Sequence, residues 1–299
     1  GLTLRRIEIG EICLALLSQG ESCVWSDADD LEGFFVERAA DVTVQVHVNG
    51  QPPEAGTGTE VFASDARSIY LGAGKWRLEL SRPPHVPAAF SDQVLTFDEL
   101  FTSGELFILE RDPQRRPSFM FKLVFDELWG NLLPFHGGLL VHAACVSVDG
   151  EGLMFVGPGG AGKTTMAALW QDALGARVLH DDRVVIRKKG DRFWAYPVPQ
   201  MGEFRPSSSR GVPLERTFFV RHGPENALAP KPAANIVTGF LAESFVPPYN
   251  ARAVELTLEL LHELSGAVPC QDLAFVPDRS VVEFLTRRNH ATVVPRLNG

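Results

Sequence analysis

Apolar and polar residues alternate through much of the first third of the chain. Leu4 to Ile9, Asp41 to Val48, Ser68 to Gly72 and Lys75 to Leu80 each read as a short strand with one face turned inward, and turn signals such as Asn49-Gly50 separate them. Gln51 to Gly58, rich in Pro and Gly, reads as a loop, as does Arg82 to Pro87. Helices are predicted near Asp30 to Ala39 and Thr96 to Ser103. From Ser118 to Leu133 the residues Phe119, Phe121, Leu123, Val124, Leu128 and Leu132 recur at helical spacing, which predicts an amphipathic helix.

The rhythm then changes. Leu139 to Val148 reads as a strand, Asp149-Gly150 as a hairpin turn, and Leu153 to Val156 as the returning strand. A helix is predicted from Thr165 to Leu174. Strands follow at Ala176 to Leu179, Arg183 to Lys188 and Phe193 to Val198, the last two joined by a turn at Gly190-Asp191. Ala233 to Phe245 and Arg252 to Ser265 read as helices, Leu273 to Val276 as a strand, and a short helix closes the chain from Ser280. The expected architecture is α/β (α+β), with a mixed sheet in the second half. At 299 residues the chain exceeds the usual size of one hydrophobic core. Two domains are therefore expected: a strand-rich α+β recognition or accessory domain over 1–112, and a larger catalytic domain over 113–299, joined at Asp112-Pro113-Gln114. No internal repeat or low-complexity tract interrupts them.

Composition narrows the function classes. The 45% hydrophobic and 22% charged content is that of an ordinary soluble protein. A net charge of -9 argues against a nucleic-acid partner, because neutralising phosphates needs a surplus of Lys and Arg on some face. Arg115-Arg116 and Arg187-Lys188-Lys189 are short and read as solvated surface. No apolar run has the length of a bilayer span, and the first residues lack the zones of a signal peptide, so no membrane partner and a cytoplasmic location are expected. The start at Gly1 rather than Met carries no functional weight. Cys13, Cys23, Cys145 and Cys270 are too widely spaced for a zinc-type pair, and Cys145, within an apolar strand, reads as a buried small hydrophobe.

The chemistry concentrates in Gly157-Pro158-Gly159-Gly160-Ala161-Gly162-Lys163-Thr164, between a strand and a helix. Glycines let the backbone curl so that successive N–H groups face phosphate oxygens, and the following helix adds its positive end. Gly157, Gly159, Gly160, Ala161 and Gly162 would form the cradle, with Thr165 behind it. Lys163 would reach the β- and γ-phosphates and the Thr164 hydroxyl would ligate Mg²⁺. The plain alternative is a glycine-rich turn. Asp181-Asp182 follows shortly after, at the end of a short apolar strand. Adjacent acids on an extended chain point to opposite sides, so one can hold Mg²⁺ while the other takes a proton from an attacking hydroxyl. The plain alternative is an exposed turn with two solvated acids. His142, set among apolar strand residues, reads either as a satisfied core histidine or as a functional group.

The succession LLVHAACVSVDGEGLMFVGPGGAGKTTMA, followed by RVLHDDRVVI, resembles the catalytic domain of HPr kinase/phosphorylase. It is closer to the HPr kinase-like proteins that phosphorylate other targets. The tail LLHELSGAVPCQDLAFVPDRSVVEFL is similar to that group's closing segment, and the resemblance covers roughly 118–288. It implies a mixed-sheet P-loop domain of the HPr kinase/phosphoenolpyruvate carboxykinase-like type. It also implies that Lys163 and Thr164 hold phosphate and Mg²⁺, that His142 lies near the transferred phosphate, and that the acid pair divides into Asp181 as base and Asp182 as metal partner, or the reverse. Tyr196 to Glu203 looks like the family's proline- and glycine-containing segment ending in an acid, which makes Glu203 a candidate for orienting acceptor or metal. Arg205 and Arg210, in a Pro- and Ser-rich stretch, read as loop residues able to cover charge on a γ-phosphate. The glycine-containing signature that the bifunctional enzymes carry after the acid pair is not found here, and residues before 112 do not resemble their N-terminal domain. The implied function is ATP- and Mg²⁺-dependent phosphoryl transfer to a hydroxyl of a peptide, a protein serine or a small molecule, and the resemblance allows a homo-oligomer. The alternatives are an HPr(Ser) kinase acting on a carrier protein, a nucleotide-binding regulator without transfer, and a simple nucleoside-triphosphate hydrolase.

Overall fold

A computed structural model describes residues 2–19, 23–25, 28–54, 58–64, 67–80, 91–112, 114–119, 121–199 and 202–291. The loop expected over 82–87 lies outside the described residues, as do 55–57 of the loop expected over 51–58, Pro113 of the expected joint, and Gln200-Met201. The chain forms two compact units. One comprises Gly1–Leu139 with Ser207–Ser209 and Phe245–Thr257, and the other Leu140–Pro206, Arg210–Ser244 and Leu258–Gly299. The joint expected at 112–114 falls inside the first unit.

The first unit holds β1 (Leu2–Ile9), β2 (Ile12–Gln19), β3 (Val24–Trp25), β4 (Val42–Val48), β5 (Thr59–Ala63), β6 (Arg67–Gly72), β7 (Lys75–Leu80), β8 (Asp92–Asp98), β9 (Ser103–Leu109), β10 (Ser118–Phe119) and α1 (Phe121–Phe135). Eight of these strands form a mixed sheet in the order β1-β2-β4-β9-β8-β7-β6-β5. The pairs β2–β4 and β4–β9 are parallel, and the others antiparallel. The helix expected over Asp30 to Ala39 contracts to 3-10 turns at Ala28–Phe34. Beyond it Phe35 bridges to Ile7 and the Val36 N–H donates to the Arg6 carbonyl, so the chain joins β1 instead of continuing as a helix.

The helix expected over Thr96 to Ser103 is corrected to the end of β8, a tight turn and the start of β9. Asp98 explains the difference. Its Oδ1 accepts the N–H groups of Leu100 and Thr102, each at 3.0 Å, and its Oδ2 accepts the Thr102 hydroxyl at 2.6 Å and the Ser103 N–H at 2.7 Å. An aspartate that gathers the following amides stabilises a turn against the helix. Phe101, at φ 55° within that turn, stacks on Phe97 with centroids 5.2 Å apart and is fully buried.

The second unit is built from β11 (Gly138–Val141), β12 (Ala143–Val148), β13 (Glu151–Val156), α2 (Lys163–Leu174), β14 (Arg177–His180), β15 (Val184–Lys189), β16 (Arg192–Pro197), β17 (Val212–His222), β18 (Ala227–Pro230), α3 (Ala233–Ala242), α4 (Ala251–Ala267), β19 (Cys270–Phe275) and α5 (Ser280–Ala291). Residues 138–139 of β11 and 251–257 of α4 belong to the first unit. The sheet runs β11-β15-β16-β17-β13-β12-β14, with β19 beside β17 and β18 beside β19. Asp149 and Gly150, at φ 52° and 84°, make the expected hairpin turn between β12 and β13. The strand expected over Leu139 to Val148 is broken at His142, whose N–H donates to the Glu243 carbonyl.

Apolar side chains place the loop that follows β13. Phe155 is fully buried between Phe218 and Trp170, with centroids at 5.9 and 6.4 Å, so β13, β17 and α2 share one core. α5 adds Val281, Val282 and Leu285 to the same cluster. β13, β17 and β19 are mutually parallel, so the 157–162 loop leaves the carboxyl end of a parallel group, where α/β sheets bind ligands. Cys145 is fully buried, and burial pushes its thiol up to about 12.

Burial pushes the Asp98 carboxyl up, but hydrogen bonds from Thr102 and Ser103 outweigh it and hold it below the usual carboxylate range. Its stabilisation is therefore present above the unfolded-state value near 4 and is lost as pH falls through the lower folded-state value. Asp98→Ala should lower stability by about 1–2 kcal/mol at neutral pH. The gap to wild type should close below about pH 4, as measured by urea denaturation at stepped pH.

Candidate functional site

The glycine loop is shaped by contacts that crowd two of its positions. A Cβ on Gly162, which sits at φ 97°, would lie 2.5 Å from Phe275 Cζ and 3.0 Å from His222 Cε1. One on Gly157 would lie 3.0 Å from both Ala161 Cβ and the Val220 carbonyl oxygen. Gly159 and Gly160 have nothing within 4 Å of such an atom, and Gly160 takes φ 78°, so these two border open space. The Ala161 N–H closes the turn on the Pro158 carbonyl at 3.1 Å. Gly162 is the N-cap of α2, and no side chain caps that helix, so the positive end of its dipole meets the loop without a competing side-chain oxygen.

Lys163 is only 6% exposed. Its ammonium donates to the carbonyls of Gly157 at 2.6 Å and Pro158 at 2.9 Å, folding back over its own loop. Burial draws its pKa below the ordinary lysine range, and the carboxylates of Glu243 and then Asp182 act the other way. Both acids therefore lie within the electrostatic reach of that ammonium. Thr164 is half-buried and Thr165 exposed on the first turn of α2.

The two adjacent aspartates have different surroundings. Asp181 is 3% exposed, and its oxygens accept the N–H groups of Glu203 and Phe204, each at 3.3 Å. Asp182 is half-buried. Its Oδ1 lies 3.4 Å from His142 Nε2, and its Oδ2 accepts from Arg183. Burial raises its pKa, but the His142 hydrogen bond and the Arg183 charge outweigh burial and hold the carboxyl below the usual range. The buried His180 sets the turn between the acids, its Nδ1 accepting the N–H groups of Asp182 and Arg183 at 3.0 Å.

His142, Lys163 and Asp182 are thus brought together with the loop. Asp181 faces the 202–204 turn, and Glu203 reaches it through its backbone N–H while its own side chain is exposed. Arg205 and Arg210 are exposed, and the Arg210 carbonyl accepts from Arg177. Glu243 is the site residue that the sequence reading passed over. Its Oε2 lies 3.2 Å from His142 Nδ1, yet the two are 101 positions apart. An acid at the end of a helix carries no local pattern that marks it out. Among the described residues no three His, Cys, Asp or Glu side chains gather into a ready metal site.

The family described as "SynChlorMet cassette protein ScmC" matches residues 131–252, a span that contains His142, the glycine loop, the acid pair, Glu203 and Glu243. Among solved structures, the chain is similar to the Hpr(Ser) kinase/phosphatase from Coxiella burnetii, at 11% identity and a TM-score of 0.30, over 51% of this chain and 96% of that one. No curated protein matches the chain. Among the described residues, no helix is long and apolar enough to cross a membrane.

Gly162→Ala tests the shape of the loop. It meets both the left-handed backbone and the Phe275 ring, and should cost about 2 kcal/mol of stability. A lower urea midpoint at an unchanged m-value is the expected readout.

Proposed function

We propose that the chain is a phosphotransferase that moves the γ-phosphoryl group of ATP, with Mg²⁺, to a hydroxyl on a peptide, a protein serine or a small molecule. The observation that carries this reading is the buried Lys163 ammonium, which heads a glycine cradle in the field of Glu243 and Asp182. The residues present suit a triphosphate. Gly159 and Gly160 border open space, Gly162 tolerates no side chain, and the N-terminus of α2 has no side-chain cap. Gly157, Gly159, Gly160, Ala161, Gly162, Lys163, Thr164 and Thr165 would hold the nucleotide, and Thr164 the metal. When bound, nucleotide and metal supply the transferable phosphoryl group and neutralise charge on its oxygens.

The chain's own residues position and move the proton. Lys163 would exchange its loop carbonyls for phosphate oxygens when nucleotide is bound. The proton of the acceptor hydroxyl passes to the coupled Asp182–His142 pair, whose facing atoms are 3.4 Å apart. Asp181 holds the 202–204 turn through its two amide bonds and supports the site from behind. The work of the base therefore moves from Asp181 to its neighbour.

A mass-shift screen of candidate peptides, HPr and small polyols with ATP and Mg²⁺ tests the reading, a gain of one phosphate being the expected result. Phosphate release at one rate with or without acceptor would reveal a hydrolase instead. Lys163→Ala should abolish nucleotide binding. Asp182→Asn should keep binding and slow transfer about a hundredfold or more. Normal transfer by Asp182→Asn would overturn the assignment of that residue.

A further inference from the structure

Three strands of the second unit end side by side at the glycine loop. β13, β17 and β19 run parallel, so the turns after β17 and β19 open on the same edge of the sheet as the loop after β13. The last residues of those two strands, His222 and Phe275, face each other in register. Their rings pack together, with centroids 5.0 Å apart and planes tilted by 33°. Phe275 is fully buried and His222 is exposed, so the imidazole leans on the core with one side and meets solvent with the rest.

Both rings reach the N-cap of α2. A Cβ on Gly162 would lie 2.5 Å from Phe275 Cζ and 3.0 Å from His222 Cε1, so His222 borders the phosphate cradle without entering it. The backbone beneath the histidine is held from two directions. The Gly223 N–H donates to the Phe275 carbonyl at 3.0 Å. Asn226 ties the two turns together, its Oδ1 accepting the Val276 N–H and its Nδ2 donating to the Ser280 hydroxyl, each at 2.8 Å. A ring on so fixed a support loses little freedom when a ligand settles on it.

Ligands of such sheets gather at the carboxyl ends of parallel strands. In a nucleoside triphosphate only the ribose separates the base from the phosphates. With those phosphates in the 157–163 cradle, the base must therefore settle close to the same edge. An open aromatic ring stacks on a base through its π-face, and this needs no particular hydrogen-bonding edge on the base. Resting on the nucleotide reading of this site, we propose that His222, backed by Phe275, is the platform on which the nucleobase stacks, and that the site takes purine nucleoside triphosphates with little choice between adenine and guanine. Two fused rings cover more of the platform than a single pyrimidine ring does. A surface histidine without this role would make no difference between a nucleotide and the same triphosphate lacking its base.

Calorimetric titration of the full chain with Mg²⁺ tests this, using ATP, GTP, CTP and ribose 5-triphosphate, which lacks only the base. In wild type, ATP and GTP should bind within about threefold of each other and about tenfold more tightly than ribose 5-triphosphate, with CTP between. His222→Ala should lose that advantage for both purines and leave ribose 5-triphosphate binding unchanged, which also reports an intact fold. His222→Phe, which keeps a π-face, should retain the advantage. Equal affinity of wild type for ATP and ribose 5-triphosphate, or undiminished ATP binding by His222→Ala, overturns the platform and leaves the nucleotide reading standing. A preference for ATP over GTP well beyond tenfold overturns the stated selectivity, because stacking does not read base edges. A wild type that binds none of the four overturns the nucleotide reading, and the platform with it.

Discussion

A buried ammonium must be surrounded by oxygen, and the second unit is arranged around that need. Removing a lysine charge from water is costly unless lone pairs replace the lost hydration. Lys163 finds them on the carbonyls of Gly157 and Pro158, and two carboxylates lie within its field. The requirement fixes the path of the loop, which must turn back over the lysine. It also accounts for acids that reach this point from two separate connections in the chain, the turn after β14 and the end of α3.

The core beneath makes such a loop tenable. Phe155, Phe218 and Trp170 lock β13 to β17 and α2, so the two ends of the loop are fixed by packing before any polar contact is considered. Phe275 then closes on Gly162 so tightly that hydrogen is the only substituent that fits there. Apolar packing sets the position of the loop, and the polar contacts of Lys163 set its curl.

How much of this was legible in the sequence depended on the range of the interactions. The strand, glycine loop and helix from Leu153 to Leu174 are contiguous, and each obeys a local rule, so they stand where the pattern puts them, with the helix beginning two residues early at Lys163. The closing strand and helix also appear, near Cys270 and Ser280. The stretch from Thr96 to Ser103 was misread because Asp98 draws five neighbouring hydrogen-bond donors to itself, a local competition that a count of apolar residues does not register. β17, with Glu215 and Arg216 inside it, lacks a clean apolar run, although it lies between β16 and β13 in the sheet. Within the site, the paired aspartates were visible but their division was not. Which of them turns to the 202–204 amides and which to His142 is decided by the His180 side chain and the path of the chain after β16, and neither carries a periodic signal. Glu243 is a tertiary arrival, and only the fold discloses it.

Gly202 illustrates how closely such a site couples its positions. A methyl group there would fall 2.0 Å from Asp181 Oδ1, in the space that the carboxylate uses to reach the amides of the next two residues. The bare backbone at 202 is thus what leaves the aspartate its berth: any side chain there would push the carboxylate off the amides it now caps.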